Sequence, residues 1–71
     1  MSKKEEEKDI TILAYPEKNE ATVEGNSKAA REFMMVEFKS NEKQTITGDN
    51  VNSLFLKLRE QNLKFSFKKA T

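Results

Sequence analysis

TGDNVNSLFLKLREQNLKFSFKK, residues 47–69, holds a helix and a strand back to back. Val51, Leu54, Phe55 and Leu58 stand at i, i+3, i+4 and i+7, the spacing of one apolar helical face. Lys57, Arg59, Glu60 and Gln61 keep the other side polar. Gly48-Asp49-Asn50 reads as the turn and cap before the helix. Asn62 ends it, because asparagine tolerates the left-handed conformation that often closes helices. Leu63, Phe65 and Phe67 then alternate with Lys64, Ser66 and Lys68, which is a strand with one buried face. A link as short as Gln61-Asn62 folds the helix back onto its own strand.

Upstream, Ile10 to Tyr15 is rich in β-formers and ends at Pro16, the one proline of the chain. Pro16 to Glu20 is a polar turn, and Ala21-Thr22-Val23-Glu24 alternates again, so the two segments form a hairpin. Gly25-Asn26-Ser27 breaks the strand and offers an N-cap. Ala29, Ala30, Phe33 and Met34 then form a helical apolar stripe. Met35-Val36-Glu37-Phe38-Lys39 has two readings. It continues the helix, or it is a strand with Val36 and Phe38 facing inward; a short helix followed by a strand is the preferred one. Ser40 to Lys43 becomes a hairpin turn and Gln44 to Thr47 the returning strand.

The order is therefore β-β-α-β-β-α-β, or β-β-α-β-α-β where the first helix is long. Either way the class is α+β: a small, mainly antiparallel sheet of four or five strands with two helices packed on one face. If the strands on either side of the second helix share the sheet, they run parallel through a right-handed crossover. Thr22-Val23-Glu24-Gly25-Asn26 and Thr45-Ile46-Thr47-Gly48-Asp49 echo one another as strand, glycine, cap and helix. Strand-to-helix turns favour those residue types in any case.

Seventy-one residues make one domain with a small core. Hydrophobic and charged residues each make up 35% of the chain, so much of what is apolar has to be shared or buried efficiently. Residues 1–8 read as a disordered charged tail and 9–71 as the domain. There is no cysteine and no histidine. That excludes disulfides, Cys/His zinc sites and His-dependent nucleophilic catalysis. The longest apolar run, Phe33 to Val36, is far too short to span a membrane. The expected compartment is the cytoplasm, with no cofactor.

Three motifs carry little chemistry. Ser40-Asn41-Glu42-Lys43 matches Ser-x-x-Lys, but the enzymes built on it need further motifs this chain lacks. Gly48-Asp49-Asn50 has neither the glycines of a phosphate loop nor the alternating acids of a calcium loop. The carboxylates lie mostly in polar turns and the N-terminal run, away from any apolar face that would raise a pKa. The chain is read as non-enzymatic.

Two surface features remain. Residues 1–35 carry six basic and eight acidic side chains, whereas residues 36–71 carry seven basic and four acidic. Lys57, Arg59, Lys64, Lys68 and Lys69 face only Glu60 in their segment, which makes them candidate contacts for nucleic acid. In a strand, however, Phe65 and Phe67 lie opposite Lys64 and Lys68, so the phenylalanines are expected in the core rather than stacked on bases. Leu56 lies off the stripe of its helix, and Leu13 and Tyr15 lie opposite Ile10 and Ile12. These three are candidate contacts for a protein partner or a second copy of the chain. The leading expectation is a small interaction module (adaptor, regulator or inhibitor) that forms a homodimer in one version. Weak nucleic-acid binding is the alternative.

Overall fold

The computed structural model describes residues 8–70. Residues 1–7 of the expected charged tail lie outside the described residues, as does Thr71. In chain order the elements are β1 (Ile10–Tyr15), a 3-10 turn (Pro16–Lys18), β2 (Glu20–Gly25), α1 (Lys28–Phe38), β3 (Gln44–Thr47), a second 3-10 turn (Gly48–Asn50), α2 (Val51–Glu60) and β4 (Phe65–Lys69).

The sheet order is β3-β2-β1-β4. β2 pairs antiparallel with both β1 and β3, and β4 pairs parallel with β1. The sheet is thus mixed rather than mainly antiparallel. The reason lies in α2. It leaves β3 at one edge and delivers the chain to β4 at the other, so the strands before and after it run in the same direction. With β3 already beside β2, the free side of β1 is where β4 docks.

The element order also corrects the expectation. No strand forms over Met35–Lys39, because that segment completes α1. Ala30, Met34 and Phe38 recur every fourth residue and carry the core stripe on to the helix end. Val36 and Phe38 therefore do not share a face: Phe38 packs against the core and Val36 is 81% exposed. Ser40–Lys43 joins a helix to a strand instead of closing a hairpin, and the turns read at Pro16–Glu20 and Gly48–Asn50 each contain a short 3-10 segment.

Register explains the core. Ile12 sits opposite Val23 on one side and Phe67 on the other; Ile10 lies opposite Gly25 and Phe65; Ala21 lies opposite Ile46. These residues share the face covered by the helices. Ile10, Ile12, Ala21 and Val23 are buried there with Ala30 and Met34 of α1 and Leu54 and Leu58 of α2. Gly25 belongs to that face for a spatial reason: a Cβ there would meet the Met34 sulfur at 3.1 Å and Arg31 at 3.3 Å. The opposite face carries Thr11, Leu13, Tyr15, Thr22, Thr45, Ser66 and Lys68, and no helix of the described residues covers it.

Candidate interaction surfaces

The helix layer is built by local chemistry. Ser27 caps α1, its Oγ accepting from the Ala30 N–H at 3.1 Å. Lys39 ends α1 in the left-handed region (φ 61°), its N–H donating to the Met35 carbonyl at 2.9 Å. α2 ends as its sequence predicts. Asn62 is left-handed (φ 58°), its N–H donates to Arg59 C=O at 3.1 Å, and the Leu63 N–H donates to Leu58 C=O at 2.9 Å. That pair of bonds is a Schellman closure, and Leu63 packs against the core that contains Leu58. The start of α2 departs from its sequence. Asn50 accepts no capping bond; its side-chain amide donates instead to Thr47 Oγ1 at 3.1 Å, and a 3-10 turn leads into the helix.

Between α1 and α2 runs an open groove. Its larger part, about 510 Å³, has Ala29, Phe33, Val36 and Leu63 as apolar lining and Glu32, Glu37 and Glu60 along the rim. A second part of about 320 Å³ continues towards Phe38, Ile46 and Leu54. The Lys57 ammonium pairs with Glu37 across the boundary between them. Both side chains are partly solvent-exposed, so the pair orders the groove more than it stabilises the fold.

The five cations do not converge. Lys57 is engaged by Glu37 on the groove side of α2. Arg59 lies one turn after Phe55, on the side of α2 nearest β4. Lys68 sits on the uncovered sheet face opposite Leu13, while Lys69 sits on the helix-covered face opposite Ala14. Lys64 precedes β4, its backbone tied to Asp9 and Ile10. Two sheet faces and two sides of one helix are involved.

The three apolar candidates divide likewise. Leu13 and Tyr15 share the uncovered sheet face, at the centre and one end of β1. Leu56, 60% exposed, lies on α2 on the other side of the sheet. Val36 and Met35 are exposed with it in the helix layer, and reading residues 35–39 as a strand with Val36 and Phe38 inward hid Val36. Continuing the Ala30–Met34 spacing through Phe38 would have exposed Val36 on paper.

The phenylalanines are not all core. Phe55 stacks on Phe65, with centroids 4.9 Å apart, and meets Phe67 edge-on at 5.5 Å. Phe67 stays 42% exposed because β4 is an edge strand among the described residues. Among the described residues no helix is long and apolar enough to cross a membrane, and no three acidic side chains group to hold a metal ion. No family model, no curated protein and no solved structure matches the chain.

Proposed function

We propose that this chain is a small, non-enzymatic protein-interaction module whose contact surface centres on the helix layer. The observation that carries the reading is the interhelical groove. It places Val36, 81% exposed, beside Phe33, Ala29 and Leu63, within a rim of glutamates. An apolar strip edged by charge is the composition of a protein contact: the strip gains from leaving water and the rim selects the partner. Leu56 and Met35 are further exposed apolar side chains of the two helices, outside the groove lining. Partners of this reading are another protein or a second copy of the chain.

The test compares wild type with Val36→Glu and Leu56→Lys. Both positions are exposed, so circular dichroism and the thermal midpoint should stay unchanged. Sedimentation equilibrium and quantitative capture from host lysate should show self-association or a saturable partner that at least one variant loses. A chain that remains monomeric, with captured partners indifferent to both variants, would sink the reading. Nucleic-acid binding is checked in parallel by anisotropy with labelled oligonucleotides at two salt concentrations. With the cations spread as described, we expect no complex whose affinity falls steeply with salt.

A further inference from the structure

We propose that the edge of β4, which no strand covers among the described residues, is a strand-addition site for an acidic, extended segment of a partner protein. This deepens the interaction-module reading and rests on it. The backbone makes the site. The Lys64 carbonyl accepts from the Asp9 and Ile10 amides at 2.8 and 3.1 Å, and the Ala70 N–H donates to the Ala14 carbonyl at 2.8 Å. Along a parallel strand, successive residues turn their N–H and C=O groups to opposite sides. Residues 64 and 70 face β1, so Ser66 and Lys68 do too. Phe65, Phe67 and Lys69 therefore point their backbone groups outward, on the side where the sheet ends.

Side chains give that edge a character of its own. Phe67 is half-exposed there and meets Phe55 edge-on beside the Phe55–Phe65 stack. A cavity of about 290 Å³, with Ala14, Val51, Phe55 and Phe67 on its apolar side and Asn19, Glu20 and Asn52 on its polar side, opens beside it. A strand added to β4 would set one of its side chains against Phe67 on the helix side, next to that cavity. Its flanking residues would meet Lys68 on the uncovered face, and Lys69 and Arg59 on the helix side. No carboxylate occurs in Leu63–Thr71. An apolar residue flanked by Asp or Glu is the complement.

The other occupants fit less well. Two β4 edges paired with each other would bring two sets of Lys68 and Lys69 together. Pairing β4 with the β3 edge of another copy is heterologous and would propagate an open fibre. Lysines on an edge strand also deter indiscriminate sheet pairing, which leaves an oppositely charged strand as the favoured addition. Nucleic acid would need the cations on one surface, and they straddle the sheet.

The experiment is an NMR titration of the ¹⁵N-labelled full chain with a short peptide alternating glutamate and valine. We expect saturable binding, with amide shifts and slowed exchange at Phe65, Phe67 and Lys69 and little change at Ser66 and Lys68. A lysine–valine peptide should bind more weakly by about tenfold or more. Lys69→Pro removes an outward N–H while leaving the ladder to β1 intact, so it should stay folded and lose the peptide. Lys69→Gln keeps that N–H and should retain the peptide, whose valines share its face, whereas Lys68→Gln, opposite the glutamates, should bind more weakly. Absence of saturable binding to wild type, equal affinity for the lysine peptide, or shifts confined to the interhelical groove would each overturn the proposal. An oligonucleotide that perturbs the same amides and displaces the peptide would overturn it in favour of nucleic acid. The Val36 and Leu56 variants report on the module reading separately, because neither residue lies on β4.

Discussion

Asp9 joins three segments through neighbouring atoms. Its N–H donates to the Lys64 carbonyl at 2.8 Å, its Oδ2 accepts from the Lys64 N–H at 3.0 Å, and its C=O accepts from the Asn26 N–H at 2.7 Å. The Lys64 backbone bond, with help from Ser27 and the Lys64 charge, holds the Asp9 carboxyl below its ordinary value of 3.8. A carboxyl held low favours the folded state while ionised, and that contribution disappears as pH falls through the folded pKa. The stability difference between wild type and Asp9→Asn, from urea titrations, should be constant above about pH 5 and shrink below about pH 4. A difference independent of pH would remove Asp9 from this role. Nothing local marks Asp9 in the sequence, since its partners are 17 and 55 residues away. Asn62 is the opposite case: its left-handed turn was legible from residue type alone. Gly48 lies between. Its position after a strand signals a turn, but only the fold shows that a Cβ there would run into the Asn19 side chain.

Among the elements, the two helix starts separate what a capping signal can and cannot tell. Ser27 and Asn50 are both good N-cap residues, yet only Ser27 accepts a capping bond. Ser27→Ala should therefore cost about 1 kcal/mol in chemical denaturation, and Asn50→Ala only a few tenths. Equal costs would refute the distinction. The same contrast undoes the internal echo, since the second copy enters its helix through a 3-10 turn. α2 was legible because four apolar residues recur over two turns. The end of α1 was not, because Val36-Glu37-Phe38 alternates like a strand while Ala30–Met34–Phe38 repeats like a helix. Packing chose the helix: it places Phe38 against the core and leaves only Val36 outside.

At the scale of the whole molecule, eight side chains are buried among the described residues and hold a two-layer fold, so each should matter. Leu58, fully buried, should cost about 2–5 kcal/mol on truncation to alanine. Leu56→Ala, two residues away, should change stability by less than about 0.5 kcal/mol. Urea unfolding of the two variants measures both, and similar losses would mean that Leu56 is buried in solution by self-association. The amino-acid sequence by itself determined the class, the buried face of α2, the alternation of the strands and the exclusion of cysteine and histidine chemistry. Each of these depends on residue type and short-range spacing. Only the tertiary structure decided that β4 runs parallel beside β1, that Phe67 stays half-exposed at the edge, and that the cations divide between two faces. Those depend on which strand lies next to which, and the period-two pattern of a strand names its buried face without naming its neighbour.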